Sequence, residues 1–126
     1  MLEKIIYPKL SYEINGLCFQ THNKLGRFAK EKQYSDWLEQ LLVKNKINYR
    51  REIKIPFSSK QSEIGGNIAD FVIEDKIIIE CKAKKFITRE DYHQVQRYLK
   101  ASGIKLALIV NFRTVYLKPK RVINYS

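Results

Sequence analysis

Cysteine and histidine are scarce in this chain of 126 residues, which carries two of each. Cys18 and Cys81 stand far apart with no C-x-x-C spacing, so neither a disulfide scaffold nor a zinc finger is expected. Three prolines and five glycines are too few for a linker protein. No apolar run approaches the ~20 residues of a membrane span. The opening Met1-Leu2-Glu3-Lys4-Ile5-Ile6 lacks the long apolar core of a signal peptide, so a cytoplasmic protein with no membrane partner is expected. Acid is short as well: 13 acidic side chains face 24 basic ones, a net charge of +11. What is plentiful is apolar surface, at 44% with 12% aromatic, which suits one domain with one core and excludes a disordered polyelectrolyte.

A pI near 9.7 suits a polyanionic partner, because each phosphate neutralised by Lys or Arg releases condensed counterions. Nucleic acid is the leading candidate, against the plainer alternative that excess lysine only solubilises the surface. An anionic membrane would want a basic amphipathic helix at one terminus, whereas here the basic residues are spread along the chain.

Periodicity divides the chain into a single α/β unit. Residues 10–25 place Tyr12, Ile14, Leu17, Cys18 and Phe19 on overlapping helical faces, with Gly26 as a stop. Residues 29–45 carry Tyr34, Trp37, Leu38, Leu41 and Leu42 at i, i+3, i+4, i+7 and i+8, the stripe of a second helix. Residues 48–57 read as a strand with one wet face and residues 58–66, ending in Gly65-Gly66, as a loop. Residues 68–73 and 77–81 are apolar runs joined by Glu74-Asp75-Lys76, a hairpin covered on both faces. Thr88 with Asp91 three residues on resembles a capping box, opening a helix through Tyr92, Val95, Tyr98 and Leu99 to Gly103. Residues 104–112 form an apolar strand, residues 114–117 a last short one, and residues 118–126 a basic tail following a domain of residues 1–117.

The informative feature is charge where a buried strand should be apolar: Asp70 within Ile-Ala-Asp-Phe-Val-Ile, then Glu80 and Lys82 in Ile-Ile-Ile-Glu-Cys-Lys. If the hairpin is symmetric about Asp75, Asp70 lies opposite Glu80, Ile68 opposite Lys82 and Phe71 opposite Ile79. Two carboxylates and a lysine then share one face, while Phe71, Ile73, Ile77, Ile79 and Cys81 take the other; a one-residue slip would destroy the cluster. Adjacent carboxylates repel unless a cation lies between them, and hard oxygen ligands suit Mg²⁺ or Mn²⁺. Such an ion polarises a phosphoryl oxygen and acidifies a bound water, so phosphodiester hydrolysis fits, with Lys82 orienting the nucleophile or offsetting charge. A cross-strand salt-bridge ladder at a solvated strand end is the competing explanation of an isolated D…E-x-K.

Asp70, nine intervening residues, then Glu80-Cys81-Lys82, in a hairpin followed by a helix, resembles the core of the PD-(D/E)XK nucleases, with Ala69 in place of the loosely kept proline. Gln94 and Tyr98 form a Q-x-x-x-Y pair at i, i+4 similar to that of RecB-like members. More narrowly, His22-Asn23-Lys24-Leu25-Gly26, Glu31-Lys32-Gln33-Tyr34, Ile68-Ala69-Asp70, residues 98–103 and Val110-Asn111-Phe112 resemble the small family named for its GxxExxY motif, over roughly residues 5–113. Phe28 stands where the motif has its first glycine.

The resemblance implies a restriction-endonuclease-like fold, a mixed sheet flanked by helices, and a metal-dependent nuclease acting on DNA in preference to RNA. It implies a catalytic set of Asp70, Glu80, Lys82 and Gln94, with the metal held by Asp70, Glu80, the Cys81 backbone carbonyl and Glu31. Lys84, Lys85, Arg89, Arg97 and Tyr98 are the expected nucleic-acid contacts, although a tyrosine placed like Tyr98 is more often core packing than a nucleic-acid contact. His22 and His93 stay outside the catalytic set, because a metal–lysine site needs no histidine base. A non-catalytic nucleic-acid-binding module on the same fold is the alternative, and an assembly protein with an acidic partner a third. A homodimer that sets two sites across two strands is compatible with so small a domain.

Overall fold

The computed structural model describes residues 5–55 and 68–125. Helix α1 (Pro8–Leu25) begins two residues before the apolar pattern does, because Pro8 needs no amide partner in the first turn and has its φ preset for helix. It stops at Gly26, whose φ of 73° only glycine adopts freely, with the Gly26 amide bonded to the His22 carbonyl at 2.8 Å. Helix α2 (Glu31–Lys44) buries Tyr34, Ser35, Leu38 and Leu42. Strand β1 (Tyr49–Lys54) is half wet, as its charged alternation implies; the expected continuation to Phe57 and the loop of residues 58–66 lie outside the described residues.

Strands β2 (Ile68–Ile73) and β3 (Ile77–Lys82) form the hairpin in the expected register from Ile73 against Ile77 to Phe71 against Ile79, while the expected pairs Asp70–Glu80 and Ile68–Lys82 fall outside the ladder because the two acidic side chains displace it. Glu74 and Asp75 both turn at positive φ, and the Lys76 amide closes the turn on the Ile73 carbonyl at 2.8 Å. Helix α3 (Arg89–Ser102) opens at Thr88, whose hydroxyl accepts the Asp91 amide while Asp91 accepts the Thr88 amide, and it closes at Gly103 with φ 75°. Strand β4 (Leu106–Asn111) is buried throughout and runs parallel to β3, so β3, α3 and β4 make one crossover unit. The sheet order is β1-β2-β3-β4-β5, and every other pairing is antiparallel.

The last strand is not at residues 114–117. Those residues lie in a turn in which the Thr114 hydroxyl bonds the carbonyls of Asn111 and Tyr116, and strand β5 is Lys120–Ile123, paired with β4. The segment read as a basic tail therefore supplies the sheet's edge. Lys120 and Arg121 disguise it: Val122 is buried, and Arg121 reaches back across α1 to the Ser11 hydroxyl and the Ile6 carbonyl.

Two apolar layers fill the space on either side of the sheet. Phe71, Ile73, Ile77, Ile79 and Cys81 meet α1 and α2, and Ala69, Val72 and Ile78 meet Val95, Tyr98 and Leu99 of α3. Glu80 and Lys82 belong by parity with Ile78 to the α3 face, and Asp70 meets them across the hairpin through the bond of its carboxylate to the Cys81 amide. Among the described residues, no helix is long and apolar enough to cross a membrane.

Candidate active site

Regular pairing of β2 with β3 ends at Phe71 and Ile79. Beyond that point the two acidic side chains take over the strand amides: the Asp70 amide donates to Glu80 Oε2 at 2.8 Å, and the Cys81 amide donates to Asp70 Oδ2 at 2.7 Å. This reciprocal clasp holds the strands together with carboxylates instead of carbonyls, and it points both acids into one recess. Glu80 is 2% exposed. Burial pushes its carboxyl well above the usual carboxylate range, and the neighbouring Asp70 charge adds to that. Asp70 is raised by burial too, against the opposing pull of the Cys81 amide, the Glu80 carboxyl and Lys82. Two like charges this close and this buried cannot both ionise unless a proton or a cation offsets one of them.

Glu31 approaches this pair from the far side of the sheet. It is the first residue of α2, its carboxylate accepts the Ala83 amide, and it lies within the fields of Lys82 and Asp70; partial burial raises its carboxyl despite Lys82. Its placement follows from Tyr34, whose hydroxyl donates to the Gly26 carbonyl and accepts the Ala29 amide, fixing the connection between α1 and α2. Phe28 does not disturb that connection. It points outward, 73% exposed, with the guanidinium groups of Arg27 and Arg113 at 4.8 and 5.0 Å from its ring.

Lys82 is directed by a residue that the sequence pattern presents only as a helix cap. Asp91 Oδ1 lies 3.8 Å from Lys82 Nζ, while Asp91 Oδ2 takes Lys84 Nζ at 2.8 Å and the Thr88 amide at 2.7 Å. Burial alone would raise Asp91, but Lys84, Thr88 and Lys82 outweigh it and hold its carboxyl below the ordinary value of 3.8. Asn111 is the second residue missed, buried at the end of β4; it accepts the Lys84 amide at 3.1 Å and donates to the Lys84 carbonyl at 2.8 Å. The signal for Asp91 was available: it heads the helical row that continues through Gln94 and Tyr98.

The remaining expected residues divide. Gln94, half-buried, stands in that row between Asp91 and Tyr98. The Cys81 thiol is buried against Ser35, with its acidity suppressed by burial, so only the backbone of this residue is available to a metal. Lys85 and Arg89 are exposed, Lys84 is engaged by Asp91, and Arg97 lies 3.1 Å from Glu90. Tyr98 must be removed from the nucleic-acid contacts: it is 1% exposed, its ring packs in the α3 core, and its hydroxyl donates to the Ile68 carbonyl at 3.1 Å. No ring face is left for a base.

Among the described residues, no group of three or more His, Cys, Asp or Glu side chains is placed to hold a metal ion, so Glu31 is not gathered with Asp70 and Glu80 into one ligand set. Two hard carboxylates and a strand carbonyl fit a divalent ion that keeps several waters, which is the habit of Mg²⁺ and Mn²⁺. Asp91→Ala should cost about 1–3 kcal/mol of stability by chemical denaturation, through the lost cap and the unpaired Thr88 amide. Since the native Asp91 carboxyl is depressed, its contribution is present above pH 3.8 and lost as pH falls through the native value, so the variant's deficit shrinks in acid.

An α/β domain with a five-stranded mixed sheet and an Asp…Glu-x-Lys set at the mouth of its central hairpin is a restriction-endonuclease-like domain. The model of the PD-(D/E)XK nuclease superfamily matches residues 8–123, and the chain belongs to that superfamily. No curated protein and no solved structure matches the chain. Membership supports a nuclease-type function on a nucleic-acid substrate, and nucleases of this superfamily generally use divalent metals.

Proposed function

We propose that the protein is a Mg²⁺- or Mn²⁺-dependent nuclease that hydrolyses nucleic-acid phosphodiester bonds, DNA in preference to RNA, in the cytoplasm. The observation that carries this reading is the clasp, which buries two carboxylates face to face beside Lys82. As a structural device it is wasteful: two backbone carbonyls would hold the strands with no charge to bury. As a metal site it is economical.

Asp70, Glu80 and the Cys81 carbonyl would hold the ion, with Glu31 reaching it through water. There the ion would supply a polarised phosphoryl oxygen and a water of lowered pKa. Lys82 orients the attacking water and offsets charge developing on the phosphorane, and Asp91 keeps the ammonium turned toward the recess. Gln94 hydrogen-bonds a carboxylate or a phosphate oxygen. Lys85 and Arg89 take flanking phosphates, with Lys84 and Arg97 beside them once they exchange Asp91 and Glu90 for substrate. A second copy would let one assembly span both strands of a duplex.

Labelled single-stranded, duplex and branched DNA, and RNA, are incubated with the protein in Mg²⁺, Mn²⁺ or chelator. Cutting is expected with metal and absent with chelator, and Lys82→Ala should slow it about a hundredfold while leaving strand affinity nearly unchanged. A Lys82→Ala variant that cuts at the native rate removes lysine from the mechanism or exposes a contaminant. Binding of every substrate with no cutting of any would favour the non-catalytic module.

A further inference from the structure

One strand over from the site, a groove of about 280 Å³ runs between the residues that precede α3 and the turn that joins β4 to β5. Lys85, Lys118 and Lys120 line it, with Phe86 and Tyr116 on its walls, and no acidic side chain does. Both aromatic rings are left in solvent, Phe86 at 69% and Tyr116 at 78% exposure, although the domain has two apolar layers that could have taken them. The groove also meets the active site. Asn111 lies on its wall, clamps the backbone of Lys84, and is the β4 partner of Lys82, so the groove begins one strand, roughly 4.8 Å of backbone spacing, from the strand that carries the catalytic lysine.

The turn that carries Tyr116 is built in advance. His22 Nε2 is 2.9 Å from the Thr114 carbonyl, Arg27 Nε donates to the Arg113 carbonyl at 2.8 Å, and the Thr114 hydroxyl bonds within the turn. The same turn contributes Arg113 to the ring of Phe28. Exposed aromatic faces interleaved with cations thus continue round the turn, on a protein of net charge +11.

Base-paired duplex offers such a surface phosphates but no free base faces; an unpaired strand offers both. We propose that this groove binds single-stranded nucleic acid, with Phe86 and Tyr116 stacking unpaired bases and Lys85, Lys118 and Lys120 taking the adjoining phosphates. The nuclease is then directed to single strands, or to single-stranded segments of branched substrates. The inference rests on the nuclease reading for what the strand is delivered to, and on the groove alone for the binding.

The test is fluorescence anisotropy of the full chain in chelator with a labelled DNA 12-mer, the RNA of the same sequence, and the blunt DNA duplex. The single DNA strand is expected to bind at least about tenfold more tightly than the duplex. Phe86→Ala and Tyr116→Ala should each weaken single-strand binding about tenfold, the loss of one base stack. Tyr116→Phe restores affinity, and Tyr12→Ala, an equally exposed tyrosine on α1, changes nothing. Lys118→Gln should lower the salt dependence by about one phosphate. Duplex binding as tight as single-strand binding, ring variants that bind normally, or poly-glutamate competing as well as unlabelled strand would each overturn the proposal. A tighter RNA 12-mer keeps the groove and changes its substrate to RNA. Metal-dependent cutting assayed in parallel separates the two readings: cutting with ring variants that bind normally removes the groove and leaves the nuclease, and ring-dependent binding without cutting does the reverse.

Discussion

Asp70→Asn is expected to lower cleavage at least about a thousandfold and, in chelator, to make the protein more stable. The first effect follows from losing one of two side-chain metal ligands, which removes several kcal/mol of transition-state stabilisation. The second follows from the clasp. Asparagine keeps an oxygen for the Cys81 amide and gains an N–H for the Glu80 carboxylate, while one buried charge disappears. Glu80, Asp70 and Glu31 are all raised by burial and face Lys82 together, so the wild-type recess is overloaded with acid. The gain should be about 1–2 kcal/mol in urea denaturation at neutral pH. Its sign with pH is fixed: the native carboxyls hold protons that the unfolded chain has released, so wild-type stability falls as pH rises above the ordinary values of 3.8 and 4.5. The variant's advantage therefore grows with pH. Millimolar Mg²⁺ should narrow it, because the ion binds only the wild-type fold well. A variant less stable than wild type in chelator would mean that Asp70 is held for the fold and stores no repulsion.

How far this site could be read from the chain differs residue by residue. Asp70, Glu80 and Lys82 were legible because an apolar strand has no other use for charge, and because the short turn at residues 74–76 leaves the hairpin one sensible register. The Thr88 cap was legible because capping is local. Glu31 was not placed by any local rule; its approach to the site depends on the packing of Tyr34 and on the Ala83 amide, both set by tertiary contacts. Strand β5 was hidden because an edge strand tolerates lysine, and because Arg121 spends its guanidinium on the Ser11 hydroxyl and the Ile6 carbonyl, contacts that no local pattern announces. Tyr98 resolves to the plainer of its two readings, core packing. A helical row shared with Gln94 suggested substrate contact, whereas the row carries its tyrosine into the core and leaves only polar members near the recess.

Tyr34 is where fold and site are joined, and its substitution separates their contributions. The ring is fully buried and stacks on Phe112 at 4.3 Å between centroids, 9° from parallel. Tyr34→Ala should cost about 3–5 kcal/mol, the usual range for deleting a buried aromatic ring. Tyr34→Phe keeps the stack and removes the hydroxyl that ties the Gly26 carbonyl to the Ala29 amide, so it should cost about 1–2 kcal/mol. At temperatures well below its melting point, Tyr34→Phe should still cut about tenfold more slowly, because the released connection leads directly into Glu31 and a small displacement of a catalytic-site carboxylate is expensive. Strand affinity should not change. A double-mutant cycle decides whether Tyr34 acts through Glu31: on a Glu31→Ala background, Tyr34→Phe should slow cleavage no further. If the two losses multiply instead, Tyr34 acts on cleavage by a route that does not pass through Glu31, and the spacing of Glu31 and Tyr34 on α2 reflects helix packing alone.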